Sequence, residues 1–268
     1  MKIEISHETT YNYSEVVPQL IQSLKLFPTK CKNQKIIDWN VFTNKGIIKD
    51  SHHDALGHKI LNIFNKNLVG KQKIVSSGTI LTKDFSGVMK GLQEKVNPLC
   101  FLRETELTKT CKKITRMNSR IKKTNSKIEL CHNLNLATFK SIKHVTGSTS
   151  TTTTAKKSIE QGEGVCQDFA HILICLARMN NLPARYINGF LLEDLNSQEN
   201  STHAWVEIFV EDLGWVGFDP SHNKCIDEKY VRISCGYDFL DASIIKGIKK
   251  NFNGGETLNV KVLIKNCQ

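Results

Sequence analysis

The sequence predicts an α+β fold, with an N-terminal antiparallel β-sandwich domain and then a core in which one buried helix packs against an antiparallel sheet. Two observations predict this order. Residues 2–85 alternate polar and apolar side chains with the period of two that strands show. Residues 166–180 are apolar around most of a helical circumference, which is typical of a helix inside a core. We therefore expect an N-terminal β domain at 1–85 and a second domain at 86–268, which begins with a helical connector at 86–150.

The composition limits the class of protein. Hydrophobic residues make up 40% of the 268 residues, enough for a sizeable core. No apolar run is long enough to span a membrane and no secretory leader is recognisable, so we expect a cytoplasmic protein without a membrane partner. The net charge of +11 comes mostly from lysines spread along the chain. Their densest stretch, residues 109–127, predicts a solvated helix face, and a nucleic-acid partner is not expected.

The first strands follow from four alternating segments: KIEIS, TYNYS, KIIDWNVFT and KILNIFN. Turn-forming residues separate them at 44–46, 54–57 and 77–78. Several short strands at such spacing favour a sandwich or a small barrel.

One stretch in this region has metal-ligating residue types: His52, His53, Asp54 and His58. The same stretch contains a DxxG pattern between two alternating segments, and we favour a turn. The nine cysteines form no CxxC pair, which argues against a disulfide framework and a structural zinc site. We expect neither a metal nor a cofactor.

The second half mixes helices and strands. VMKGLQEKV at 88–96 and LATFKSIKHV at 136–145 have helical spacing. The threonine-rich run at 148–155 predicts a loop whose last threonines cap a helix around Ala155–Gln161. After the buried helix come the strands ARYINGFLL, THAWVEIFV and WVGFD, with a polar loop at 194–201 between the first two. LNVKVLIK predicts a last strand.

Cys166 is the candidate nucleophile. It stands where Gly162 and Gly164 lead into the buried helix. The first turn of a helix presents unpaired N–H groups and a partial positive charge, which favour a thiolate and could bind an oxyanion. The two glycines would permit unusual backbone angles and a close approach of substrate. A cysteine that only fills a core position at a helix start is the alternative.

His203 and Asp219 are the candidate base and its partner. If the strands of THAWVEIFV and WVGFD form a hairpin, one register sets His203 opposite Asp219, Trp205 opposite Gly217 and Glu207 opposite Trp215. A carboxylate at that distance could fix the imidazole tautomer and leave the other nitrogen for a thiol. A capping histidine and a turn-forming aspartate are the alternative.

The three motifs together resemble the transglutaminase-like superfamily, in particular its bacterial members with an N-terminal β domain. The residues that carry the resemblance include GVCQDFAHILICLARMNNLPARYINGF, HAWVEIFVEDLGWVGFDP and HETTYNYSEVV. The resemblance implies a papain-like core in which Cys166 is the nucleophile, His203 the base and Asp219 its partner. The chain departs from the family pattern at CGYDF, 235–239, where the expected Arg and Pro are missing.

The implied activity is acyl transfer from a carboxamide or peptide carbonyl of a protein or peptide substrate, through a thioester on Cys166. An amine acceptor would make it a transglutaminase, and water would make it an amidase or cysteine peptidase. A catalytically idle binding module of the same fold is a third possibility, against which the complete Cys-His-Asp set argues.

Four other residues near these motifs have simpler explanations. His171 lies about 500° around the helix from Cys166 and is interpreted as structural. Asp168 fits a carboxylate at a helix start. Trp205 and Trp215 could line a substrate tunnel, and core packing explains them equally well.

Overall fold

A computed structural model describes residues 1–193 and 202–267. The polar loop expected at 194–201 lies outside the described residues. Strands dominate both ends of the chain, and the helices lie between residues 98 and 179 with one short exception near residue 240. The protein is therefore of the α+β class, as the sequence predicts.

Two antiparallel four-stranded sheets form the sandwich. The first has the strand order β15-β1-β6-β3 and the second β14-β2-β5-β4. The strands are β1 (Lys2–Tyr13), β2 (Val17–Leu24), β3 (Gln34–Thr43), β4 (Ile47–His53), β5 (Lys59–Leu68), β6 (Lys71–Thr82), β14 (Ile245–Lys250) and β15 (Glu256–Asn266). The two sheets share an apolar interior that includes Leu24, Leu61 and Ile63 from the second and Ile74 from the first.

The last two strands join the first ones. β15 pairs with β1 from Ile3 opposite Asn266 to Tyr13 opposite Glu256, and β14 pairs with β2. The sequence placed these residues in a second domain at 86–268, because separation along the chain gives no sign of such pairing. In the structure they occupy the edges of both sheets that contain the N-terminal strands.

One predicted turn in this region is wrong. Ser77 and Gly78 lie inside β6, where Gly78 pairs with Ile5 on one side and Trp39 on the other. The register of β3 against β6 is irregular between Ile36 and Asp38. A Cβ at Gly78 would stand 2.2 Å from the carbonyl oxygen of Asp38, so the glycine permits a close approach of two strands.

A third sheet, the core sheet, lies outside the sandwich. Its five strands are antiparallel in the order β12-β11-β10-β9-β13. They are β9 (Ala184–Leu191), β10 (Thr202–Val210), β11 (Gly214–Asp219), β12 (Lys224–Cys225) and β13 (Tyr230–Gly236). The buried helix α4 (Cys166–Met179) packs on one face through Ile172, Leu173 and Leu176, against Val206 and Ile208 of β10. This is the predicted helix-on-sheet core.

The remaining elements surround α4. They are a 3-10 turn (Pro98–Leu102), α1 (Lys112–Arg120), α2 (Lys127–Phe139), α3 (Ala155–Gln161), α5 (Phe239–Ala242) and the two-stranded pair of β7 (Lys143–His144) and β8 (Glu163–Gly164). The predicted start of α3 is confirmed, since the Thr154 hydroxyl accepts a hydrogen bond from the Lys157 N–H at 3.2 Å. In the described part of the chain, no helix is long and apolar enough to span a bilayer.

The helix expected at 88–96 is wrong. This segment is irregular and runs along the core sheet, where Val88 forms a bridge with Val216 and the Met89 N–H donates to the Trp215 carbonyl at 2.8 Å. Hydrogen bonds to β11 replace helical hydrogen bonds here. Gly91 has φ at +71°, a conformation outside the right-handed helical range. The helix expected at 136–145 ends at Phe139.

Candidate active site

The site begins at the N-terminus of α4, where Cys166 is the first helical residue. Gly162 ends α3 with φ at +79°, a conformation that favours glycine. Gly164 has another role than the one we expected. A Cβ there would stand 2.7–2.9 Å from atoms of the Asp168 side chain, so Gly164 makes room for that carboxylate and not for substrate.

Asp168 holds the start of α4 in place, as expected for a carboxylate at a helix start. Its Oδ2 accepts hydrogen bonds from the Val165 N–H at 2.9 Å and from the Thr149 hydroxyl at 2.6 Å. Burial raises the pKa of Asp168, although both hydrogen bonds oppose the shift. The threonine-rich loop is thereby tied to the helix turn that presents Cys166.

The hairpin of β10 and β11 has a different register from the expected one. Phe209 lies opposite Trp215, and Glu207 lies opposite Gly217. The turn is centred one residue later along the chain than the sequence suggested, which shifts the pairing by two residues. A two-residue shift keeps every side chain on its face, so His203 and Asp219 remain on the same face of the sheet.

His203 and Asp219 are in contact across this face. The His203 Nε2 lies 2.6 Å from the Asp219 Oδ2, and both side chains are buried. The other ring nitrogen, Nδ1, does not contact Asp219, and Cys166 is near enough to His203 to raise the pKa of the ring. The structure thus brings together all three residues that the sequence singled out.

Asp219 has more partners than His203 alone. Its Oδ2 also accepts hydrogen bonds from the Tyr230 hydroxyl at 2.7 Å and from the His222 Nδ1 at 2.8 Å. Its Oδ1 accepts from the Ser221 N–H at 2.9 Å and the Ser221 hydroxyl at 2.6 Å. These donors fix the orientation of a carboxylate that has no exposed surface.

The electrostatics of this cluster favour a charged pair. Burial opposes the ionised form of Asp219, but hydrogen bonds from His203 and His222 outweigh it and hold the pKa of Asp219 well below its usual range. Burial also opposes a charged His203. The hydrogen bonds to Asp219 and Cys166 outweigh it and raise the pKa of His203 to about 10.

A second charged cluster lies on the same sheet face. The fully buried Glu207 contacts Arg185, 2.7 Å from Nε to Oε2, and Arg232, 2.8 Å from Nε to Oε1. Glu94 accepts from Arg185 Nη1 at 2.7 Å. Burial would raise the pKa of Glu207, but the two guanidinium groups lower it. The guanidinium of Arg185 also lies 3.8 Å from the centre of the Trp215 ring.

The other sequence candidates are structural. His171 is fully buried, and its Nε2 accepts a hydrogen bond from the Phe239 N–H at 3.2 Å. Trp205 and Trp215 pack in one apolar cluster, with exposures of 0% and 7%, which favours core packing over a tunnel wall. In the divergent 235–239 segment, the Asp238 carboxylate caps α5 by accepting from the Asp241 N–H.

The stretch at 52–58 is the predicted turn. Asp54 Oδ1 accepts from the N–H groups of Leu56 and His58 at 3.0 and 2.9 Å, and Gly57 has φ at +81°. The His58 Nδ1 lies 2.8 Å from Asp54 Oδ2. Its Nε2 accepts a hydrogen bond from the Cys235 N–H, which links the turn to the core sheet.

Sequence reasoning missed His222, Ser221 and Tyr230. Ser221 and His222 follow the FDP motif directly, so polar residues beside a proposed catalytic aspartate were a usable signal. Tyr230 lies on another strand, and no spacing in the sequence connects it with Asp219.

A thiol at a helix N-terminus, a buried imidazole and a buried carboxylate on an antiparallel sheet define a protein of the papain-like class of folds. Comparison with protein families agrees with this. Residues 115–220 match the transglutaminase-like superfamily, and residues 3–79 match the bacterial transglutaminase-like N-terminal region. Both matched families are transglutaminase-like, and together the two matches extend over most of the chain.

Similar proteins include relatives in sequence and a solved structure. An uncharacterised protein of Mycobacterium leprae is 31% identical over 45% of this chain and 44% of its own length, and one of Mycobacterium bovis is 28% identical over 50% and 46%. The chain thus spans about half the length of these relatives. A crystal structure from Cytophaga hutchinsonii, provisionally named a cysteine protease, covers 100% of this chain and 92% of its own at 20% identity, with a TM-score of 0.78. It shows the same fold.

Proposed function

We propose that this protein is a thiol acyl-transfer enzyme that acts on a carboxamide or peptide carbonyl of a protein or peptide substrate. The observation that carries the proposal is the contact of His203 with two groups, Asp219 through Nε2 and Cys166 on its other side. A nucleophile, a base and an orienting carboxylate in this order are the parts that covalent acyl transfer needs.

The reaction begins from a Cys166 thiolate beside a His203 imidazolium, the pair that forms when the Cys166 proton passes to Nδ1 of His203. The sulfur attacks the carbonyl carbon, and the negative oxygen that forms is stabilised by N–H groups at the start of α4, which have no acceptor within the helix. His203 then gives its proton to the departing ammonia or amine, and a thioester remains on Cys166. Asp219 keeps the Nε2 proton of His203 in place throughout.

Resolution of the thioester distinguishes two activities. Attack by a primary amine completes a transglutaminase reaction, and attack by water completes that of an amidase or peptidase. Both reactions use the same three residues, so the experiment has to compare the two acceptors.

All nine cysteines are free, which supports a reducing compartment such as the cytoplasm.

The test is to trap the thioester. The protein is incubated with glutamine-containing peptides, with and without a primary amine, and its intact mass is measured after acid quenching. We expect the mass of Cys166 to increase by the mass of the peptide less one ammonia, and the adduct to be removed by the amine or by water. Cys166→Ala should remove the adduct, whereas Cys100→Ala, at an exposed cysteine, should retain it.

Alkylation with iodoacetamide at pH 6 provides an independent readout. Because only the thiolate reacts, a cysteine beside an imidazolium should be labelled ahead of the other eight. Uniform slow labelling together with no adduct from any peptide would support the idle binding module and contradict the proposal.

A further inference from the structure

We propose that His203, Asp219 and His222 form a binding site for a divalent transition-metal ion of the zinc class. The three side chains present the His203 Nε2, the Asp219 Oδ2 and the His222 Nδ1, and these atoms all lie within 4.8 Å of one another. Two imidazole nitrogens and one carboxylate oxygen are a ligand set that such ions bind. An open fourth position would be left for water.

Binding of an ion requires the three ligand atoms to move to equal separations. Asp219 Oδ2 is central, 2.6 Å from the His203 nitrogen and 2.8 Å from the His222 nitrogen. In a tetrahedral zinc site, ligand bonds of about 2.0–2.1 Å place neighbouring ligand atoms about 3.3 Å apart. The nitrogens of His203 and His222 therefore have to move away from the oxygen by about 0.7 and 0.5 Å, and the two nitrogens, within 4.8 Å of each other, have to approach to about 3.3 Å. His222, in the turn after β11, has a side chain exposed at 43%, so it has room for this change.

Outer contacts already hold the central carboxylate. The Tyr230 hydroxyl donates to Oδ2, and the Ser221 N–H and hydroxyl donate to Oδ1. Ligating carboxylates in metal sites are themselves hydrogen-bonded in this way, which fixes their orientation. None of these three donors has to leave when an ion binds to Oδ2, because a carboxylate oxygen has a second lone pair.

The sulfur of Cys166 is not part of this site. The Cys166 Sγ is not among the ligand atoms that lie within 4.8 Å of one another, which come from His203, Asp219 and His222. The exposed side chain of His222 gives an ion access from solvent. The site therefore differs from a cysteine–histidine metal site, and the difference can be measured.

Binding of the ion changes where the protons lie. His203 loses its Nε2 proton to solvent, and the ring becomes neutral, with its remaining proton on Nδ1 and its Nε2 lone pair on the ion. His222 moves its proton from Nδ1 to Nε2. His203 can then no longer give its Nδ1 proton to a leaving group, because the ring would become an imidazolate. If the proposed function holds, the ion therefore switches acyl transfer off.

The direct test is titration of the full chain with Zn²⁺ alone, by calorimetry, and with Co²⁺ alone, by absorption spectroscopy. We expect one ion per chain and visible Co²⁺ bands without a thiolate-to-metal charge-transfer band. His222→Ala should weaken Zn²⁺ binding by at least about 100-fold, because a lost ligand costs no less than a lost outer contact. Cys166→Ala and His53→Ala, at an exposed histidine outside the site, should bind as the parent does.

Three results would overturn the inference: no binding by the parent, equal affinity of the His222→Ala variant, or loss of binding in the Cys166→Ala variant. Thermal unfolding without metal checks that each variant is folded. None of these readouts needs activity, so the metal site and the proposed function can fail separately. If acyl-enzyme forms at all, saturating Zn²⁺ should suppress it in the parent and not, at the same concentration, in His222→Ala.

Discussion

Two charged clusters share one face of the core sheet, and they differ in what surrounds the charge. Around Glu207, two guanidinium groups occupy both carboxylate oxygens, and every member is nearly or fully buried. Around Asp219, the donors are two imidazoles and two hydroxyl groups, and one of the imidazoles reaches solvent. Both clusters stabilise a buried carboxylate, but only the second contains imidazole side chains.

The comparison shows that burial of charge does not by itself identify a functional site. Glu207 and Asp219 both have a lowered pKa, and both lie on the polar face of the hairpin. What separates them is the neighbouring thiol of Cys166 and the exposure of His222. Substitutions in the two clusters should therefore have effects of different kinds.

The largest effect is expected for Asp219→Asn. The amide no longer fixes the Nε2–H tautomer of His203, so acyl-enzyme formation should fall by about 10⁴-fold, as in other nucleophile–histidine–carboxylate sites. The rate of thioester formation is measured by quenched mass spectrometry. Asp212→Asn, at the exposed turn between β10 and β11, is the matched control. A loss of less than tenfold would mean that Asp219 does not orient His203.

Glu207→Ala should act on stability. It leaves two guanidinium groups buried without their shared carboxylate, which costs about 3–5 kcal/mol of the free energy of unfolding. Urea unfolding followed by fluorescence measures the change, and Glu211→Ala at an exposed ion pair should cost less than about 1 kcal/mol. Equal losses in both variants would contradict the distinction between the buried cluster and a surface pair.

His7 is a buried histidine that contacts no carboxylate in the described part of the chain, in contrast to His203. Burial lowers the pKa of His7 to about 4, and its Nδ1 has no hydrogen-bond partner among the described residues. The unfolded chain takes up a proton at His7 below pH 6.5, whereas the folded protein does so only near pH 4. The free energy of unfolding therefore has its full value above pH 6.5 and falls by roughly 3 kcal/mol as the pH decreases toward 4. In His7→Leu, the free energy of unfolding should fall less between pH 6.5 and pH 4. Parallel curves for parent and variant would contradict this.

Tyr230→Phe should have the smallest effect. It removes one of three donors to Asp219 Oδ2, and a lost hydrogen bond to a charged group costs about 1.5 kcal/mol, equivalent to roughly tenfold in rate. Tyr237→Phe is the matched control, because no hydrogen bond of the Tyr237 hydroxyl occurs in the described part of the chain. A rate unchanged in both variants would show that the remaining donors suffice to hold Asp219.

Local patterns were enough to predict the buried helix, the hairpin and the three residues that meet there. The period of two placed His203 and Asp219 on one face even though the register was off by two residues. Contacts between distant segments could not be predicted. Tyr230 contacts Asp219 from another strand. The sequence suggested a turn at Gly78, because the Asp38 carbonyl that leaves no room for a Cβ there lies on a neighbouring strand.

The pairing of β1 with β15 sets the order in which the molecule can be completed during synthesis. Ile3 lies opposite Asn266 in the sheet, so the pairing of β1 with β15 cannot form until residue 266 has left the ribosome. Until then, β1 and β2 each present an open edge that can bind another chain. Closing such a long loop slows the folding of the sandwich.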